Sequence, residues 1–369
     1  MQKVSFILID EVSFLGADYF HLIHRLLGEA NPAHRTAPFC RKSIILLGDI
    51  GQLLPVKQTP IFQPSTNIFG NPYKLYQTID CSLVLKTLYR QDGESSSQAE
   101  YRKFLDRLRH RKCAAEDTEY VRSRRAAVLS ETEVASFEDA LRIFPYRREV
   151  EQYNLKTLER KFGKRIVRLR LRNNTYMHLA IGAKVILTQN VPYLVEQGIT
   201  NSTQGTVVCI NVLDDHMEEG DTDITELFAV YIEVEKQEGE RTVRQIVPID
   251  PDLCYKRELP LALCYAVTIH KCQGGELDKV VAKLGPVEFT TASDYVLFSR
   301  VKSITDIMII DTFISEERIT SPRSSEGIFV DQEHFRLKRL QHPCFKQGNI
   351  VNFFNKRSLG LLPRHGNHC

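Results

Sequence analysis

Apolar and polar positions alternate in blocks along the first sixty residues, in a strand–helix–strand order. VSFILI (residues 4–9) is a short apolar run with no polar face, the pattern of a strand buried on both sides in a parallel sheet. In GADYFHLIHRLLGEA the apolar residues Tyr19, Phe20, Ile23, Leu26 and Leu27 recur at helical spacing. RKSIILLGD is a second buried-strand pattern, ending in Gly48-Asp49. Strands alternating with helices predict crossovers in a parallel sheet. Residues 92–135 are charged and mostly helical, with an apolar stripe of Tyr101, Phe104, Leu105 and Leu108. The arginines of RKFLDRLRHRK fill the rest of that helix, a solvated face in preference to a nucleic-acid patch.

A new α/β unit opens at LRIFPYRREVEQYN. From about 181 to 250 the pattern turns to β, with AKVILTQNV, QGTVVCINVL, LFAVYIEVE and RQIVPID separated by Gly, Asp and Glu turns. The parallel pattern resumes at LPLALCYAVTIHKCQGGELDKVVAKLG and at DYVLFSRVKSITDIMIID, whose apolar run reads as a strand leading to Arg300. After about residue 320 the chain is polar and irregular, and little order is expected. The expected fold class is α/β, two parallel-sheet domains with a small β-barrel insert in the second. The predicted division is 1–135 for the first domain, 136–185 with 255–320 for the second, 186–254 for the insert and 321–369 for a tail.

Composition narrows the class modestly. A chain of 369 residues with 43% hydrophobic and 26% charged residues can bury two or three cores. The net charge of +3 is too mild to announce a nucleic-acid partner, although a local basic channel is compatible with 49 cations against 46 anions. No apolar run approaches the ~18 residues of a membrane span, and no leader pattern is visible. Nine cysteines, none in CxxC spacing, do not read as a disulfide framework and point to a reducing, intracellular compartment. His365, His368 and Cys369 could ligate a metal but read better as a loose tail.

Candidate chemistry sits at strand ends. Asp10 and Glu11 follow the first strand, where α/β proteins bind ligands; one carboxylate could hold Mg²⁺ and the other orient water, or both could merely cap a helix. Gly48, Asp49 and Gln52 end the neighbouring strand, where the Gln52 amide could sense a γ-phosphate. Arg90 in LYRQ and Arg300 in YVLFSR are candidate cations for a phosphate site. His270, Lys271 and Gln273 in TIHKCQGG are donors suited to phosphates or a nucleic-acid backbone.

The ordered set LIDEVS, GDIGQLLPV, LYRQ, GITNSTQGTVV, PLALCYAVTIHKCQGGELD and YVLFSRVKS resembles the later motifs of superfamily-one DNA helicases, and most closely the Pif-type (petite integration frequency) branch related to RecD. The matches span about residues 4–313. The resemblance implies two RecA-like domains that step 5′ to 3′ along single-stranded DNA and unwind forked or duplex DNA at the expense of ATP and Mg²⁺. It implies a monomer without a membrane anchor, serving genome maintenance (repair, recombination, telomeres) in the nucleus or mitochondrion of a eukaryote. Asp10, the metal ligand, and Glu11 would be the Walker B acids. Gly48, Asp49, Gln273 and Gly274 would line the nucleotide, Gln52 would couple it to DNA, and Arg90 and Arg300 would be arginine sensors from opposite domains. Thr268, His270 and Lys271 would contact DNA, as would Asn201, Ser202 and Gly205 of a barrel of the Src-homology type. Leu54, Cys272 and Phe298 depart mildly from the family pattern.

One departure is large. No GxxxxGK[ST] occurs; the only Gly-Lys pair, Gly163-Lys164, is followed by Arg165, with Leu158 at the first glycine position. The family carries its phosphate loop upstream of LIDE, so the first domain is expected to be truncated, marginally stable and inactive as an isolated chain. An alternative is an ATPase-dead remnant of a mobile element that only binds single-stranded nucleic acid.

Overall fold

The computed structural model describes residues 4–65, 70–85, 88–170, 176–212, 223–224, 227–238, 241–254, 258–321 and 325–341. The chain opens with strand β1 (Phe6–Ile9), helix α1 (Ala17–Ala30), strand β2 (Ser43–Leu46) and the short helix α2 (Pro72–Tyr76). β1 and β2 pair in parallel, from Phe6 opposite Ser43 to Ile9 opposite Leu46. Burial on both faces is not what these strands have: Phe6 is 47% exposed and Leu8 63%. Phe6 and Leu8 lie on one face of this sheet, two-stranded among the described residues, and that face is left open to solvent. Its packed side is a core of Val12, Phe20, Leu27, Phe39, Ile61 and Tyr76.

Helices α3 (Ser96–Arg109), α4 (Ala115–Arg122) and α5 (Glu131–Ala135) come next. Ser95 starts α3 by accepting the Gln98 N–H, a side-chain cap for an otherwise unsatisfied donor. The stripe Tyr101, Phe104, Leu105 and Leu108 is buried, but against the second sheet, in one core with Val121, Ile143, Val267, Val280 and Phe298. Hydrophobic packing therefore puts α3 and α4 with the second unit, on the far side of the boundary expected at 135.

That second sheet begins with β3 (Leu141–Phe144), followed by α6 (Arg147–Phe162). The chain then leaves it for β4 (Val167–Arg170), β5 (Tyr176–Leu179), β6 (Lys184–Leu187), α7 (Pro192–Val195), β7 (Gln204–Val212), β8 (Asp223–Ile224), β9 (Leu227–Glu238), β10 (Arg241–Ile249) and β11 (Leu261–Leu263). An antiparallel sheet of order β10-β9-β7-β6-β11 forms beside a small sheet of order β5-β4-β8. This region reaches from β4 to β11, past both ends of 186–254.

The chain returns through β12 (Ala266–Thr268), β13 (Val280–Ala282), α8 (Ser293–Phe298), β14 (Ile307–Ile309), α9 (Glu316–Thr320) and α10 (Ser325–Arg339). Strands β12-β3-β13-β14 make a four-stranded sheet, parallel throughout. YVLFSR is helical, not a strand: Val296, Leu297 and Phe298 are buried on α8, packed against α3. Its N-terminal turn is fixed by Asp294, whose carboxylate receives Arg318 of α9; both side chains are nearly solvent-free.

The expected irregular tail is also a helix in part. α10 returns to the first unit, where Val330 joins its core and Tyr76 Oη donates to Glu333 Oε1 at 2.7 Å. Residues 342–369, with Cys344, His365, His368 and Cys369, lie outside the described residues. One exchange runs the other way: Leu53, directly after Gln52, is fully buried in the core of the second unit.

Candidate nucleotide site

The carboxyl ends of β1 and β2 lie side by side, tied by Val12 N–H donating to the Leu47 carbonyl at 2.9 Å. Gly48 permits this approach: its φ is +127°, and a Cβ there would stand 2.9 Å from the Val12 nitrogen. Asp10 is exposed and accepts the Glu11 N–H at 2.8 Å. Glu11 itself takes a left-handed conformation, φ 53° and ψ 47°. For a side chain with a Cβ that costs roughly 1–2 kcal/mol and marks a position held by its surroundings.

The second unit reaches Glu11 through the loop after β12. Gln273 Nε2 donates to Glu11 Oε2 at 2.9 Å and to Ser13 Oγ at 3.1 Å. At Gly274 an added Cβ would stand 3.3 Å from Glu11 Oε1. Gln52 Oε1 and Gln273 Oε1 are buried acceptors without a hydrogen-bond donor. Such atoms cost free energy unless something donates to them, and a water or ligand hydroxyl would.

Both arginines meet at Ser299. Arg90 Nη1 donates to the Ser299 carbonyl at 3.0 Å and its Nε pairs with Glu276 at 3.4 Å. Arg300 donates to the carbonyls of Val296 and Gly275 and to Ser299 Oγ. Arg90 therefore stands with Arg300 on the second unit, not across the cleft from it, because Gln91 beside it is anchored on the Ser299 and Val301 carbonyls. Arg300 is 3% exposed, and none of its described hydrogen-bond partners is a carboxylate. Burial and the neighbouring Arg90 charge both lower its affinity for a proton. A buried guanidinium held by neutral partners beside a second cation suits an anion such as a phosphate.

Asp49 departs from its expected role. Arg109 grips it bidentately, with Nη2–Oδ1 at 2.6 Å, while Tyr295 Oη and the Gly51 N–H also donate to it. These donors tie the end of β2 to α3 and α8, a structural role for the carboxylate. Arg109 and Tyr295 were not signalled by spacing: they stand 60 and 246 residues away from Asp49.

Of the nucleic-acid candidates, Thr268 ends β12, and half-buried His270 packs edge-on to Phe289 with ring centroids 6.1 Å apart. Burial and nearby Arg147 lower the proton affinity of His270 and of Lys271. Lys271 Nζ donates to Asn201 Oδ1 at 3.3 Å, which joins this loop to the exposed turn of Asn201 and Ser202. Gly205 is not part of that group. It lies within β7 between Val185 and Val234, where a Cβ would stand 2.7 Å from the Glu233 carbonyl.

Acids at the end of one parallel sheet, met by an amide from the loop after a strand of another, fit a two-unit fold of the RecA-like kind. Residues 1–119 match the model of the PIF1-like helicase family. The chain is 25% identical over 320 residues to the mouse ATP-dependent DNA helicase PIF1, covering 83% of this chain and 45% of the relative. It is 24% identical over 325 residues to the human protein of that name, covering 83% and 46%. Its fold is similar to the crystal structure of Pif1 helicase from Candida albicans (TM-score 0.66, 19% identity, 91% of this chain and 76% of that one). It is also similar to Bacteroides Pif1 bound to ssDNA (TM-score 0.60, 18% identity, 91% and 76%). The chain is thus similar to Pif1-type helicases in its first third and in overall fold, and it spans less than half the length of the mouse and human relatives. Among the described residues no helix is long and apolar enough to cross a membrane.

Proposed function

We propose that the chain carries the hydrolysis-coupling half of a 5′-to-3′ DNA helicase, acting as a monomer on single-stranded and forked DNA within the nucleus or mitochondrion. The contact that carries this reading is Gln273 on Glu11, because it joins the loop of the DNA-contact candidates to the acid of the nucleotide site. Two hard carboxylate oxygens at a sheet end fit Mg²⁺ with ATP, and Asp10, exposed at the strand end, is the residue to hold it. Bound there, the ion would neutralise phosphate charge. Glu11 orients the attacking water and accepts its proton, and the amide oxygens of Gln52 and Gln273 receive the hydrogens that hold the water in line. Arg300 and Arg90 stabilise the charge that develops on the transferred phosphoryl group.

Thr268, His270, Lys271 and Asn201 form the strand-facing side, so that movement of the strand reaches Glu11 through Gln273. The phosphate-loop sequence is not among these 369 residues, and we propose that they do not hydrolyse ATP unaided. The test is ATP hydrolysis with Mg²⁺ and single-stranded DNA, against Glu11→Gln. No turnover alone, with turnover on supplying the phosphate-loop segment of a Pif1-type helicase, is expected. Turnover by the chain alone that Glu11→Gln abolishes would refute the need for that segment. No turnover even with it would favour the second reading, a remnant that only binds single strands.

A further inference from the structure

A cluster of metal-ligating side chains stands apart from the nucleotide site. His110 caps the C-terminus of α3, and Asp331 and His334 are three apart on α10, hence on one face of that helix. One ligand atom from each lies within 4.8 Å of the other two. We propose that His110, Asp331 and His334 bind a divalent transition metal of the zinc class.

Two imidazoles and a carboxylate leave the fourth position of a tetrahedron to water. With metal–ligand bonds of about 2.0–2.1 Å, ligand atoms in such a site stand about 3.4 Å apart. The ligand atoms stand at most 4.8 Å apart, within about 1.4 Å of that spacing. Asp106 Oδ1 lies 3.5 Å from His110 Nε2, the place of a carboxylate that orients a metal-bound imidazole.

Arg109 is the unfavourable neighbour, and it defines the consequence. Its Nη2 stands 3.0 Å from His334 Nε2, which must accept from it. A neutral imidazole offers one acceptor nitrogen, so a metal and Arg109 compete for His334. Metal binding releases Arg109 from His334 and leaves in place its bidentate hold on Asp49. The ion also bridges the two units. α3 belongs to the core containing Tyr101, Phe104 and Phe298, whereas α10 contributes Val330 to the core of Phe20 and Tyr76.

The test is a Co²⁺ titration of the full chain followed by visible absorption, with Zn²⁺ competition. One equivalent with nitrogen and oxygen ligation and no thiolate charge-transfer band is expected. Affinity should fall at least about tenfold in His110→Asn and in His334→Gln. Glutamine still offers Arg109 an oxygen, so an unchanged metal-free unfolding curve separates a lost ligand from lost packing. Asp331→Asn, at an exposed position, gives the same reading should either histidine variant fold poorly. No saturable spectrum, a thiolate spectrum, or affinity unchanged in all three variants overturns the site.

Discussion

Replacing Asp294 by Ala should destabilise the second unit by about 3–5 kcal/mol, the cost of leaving one partner of a buried pair uncompensated. The Asp294 and Arg318 side chains are 4% and 2% exposed. The carboxylate takes Arg318 Nη2 at 2.8 Å and a second, closer contact from Nη1. Without it the guanidinium keeps only the Gly285 and Leu284 carbonyls, at 3.0 and 3.1 Å. Two charge-assisted bonds at about 1.5–3 kcal/mol each lead to the same range. Urea denaturation followed by circular dichroism reads it. For a slope of about 2 kcal/mol per molar the midpoint falls by on the order of 2 M. The double variant Asp294→Ala with Arg318→Leu should recover much of the loss, since no buried charge remains. A single-variant cost below about 1 kcal/mol, or a double variant as unstable as the summed singles, refutes this account of the pair.

Asp49 supplies a pH test. Burial alone would raise its pKa, but the Arg109 guanidinium beside it and the bonds from Arg109, Gly51 and Tyr295 hold it below the usual carboxylate range. A depressed folded pKa means its stabilisation is complete above the unfolded value of about 3.9 and is lost as the pH falls through the lower folded one. The urea-midpoint gap between wild type and Asp49→Asn should therefore be steady near neutrality and close on acidification below about pH 4; a gap that widens there contradicts the ion pair. Gly205→Ala should cost about 1–3 kcal/mol, measured by thermal unfolding, because its Cβ would meet the Glu233 carbonyl at 2.7 Å. Among the thiols, Cys264 and Cys272 are buried and pushed up to about 12 by that burial, while Cys209 is exposed. Maleimide labelling read by mass spectrometry should mark Cys209 well before either, and equal rates would contradict their burial.

Periodicity was enough for α1 and for the Tyr101–Leu108 stripe, because an amphipathic helix writes its buried face at fixed spacing. It misled at YVLFSR, where helix α8 is buried nearly all round and its apolar run looks like a buried strand. It was silent on α10, which holds the first unit through Phe329, Val330 and Leu337 together with the polar Tyr76–Glu333–Arg336 contacts, in a sequence whose charged residues obscure that face. The site was legible where neighbours in sequence are neighbours in space, as with Asp10 and Glu11. Pairings such as Asp49 with Arg109, or Gln273 with Glu11 across 262 residues, exist only once the chain has folded. The resemblance could not show that Arg90 and Arg300 share one unit.

Leu53 gives the loop of Gln52 an unusual mounting. The loop leaves β2 in the first unit, yet its leucine is a peg in the hydrophobic interior of the second. The units therefore cannot part there by sliding over a wet surface. Separation must either unseat the peg, exposing a side chain whose burial is worth about 1.5–3 kcal/mol, or drag the loop with it. In the second case Gln52 behaves as a lever arm fastened to the far wall of the cleft, and the distance between the units is converted directly into the position of one amide.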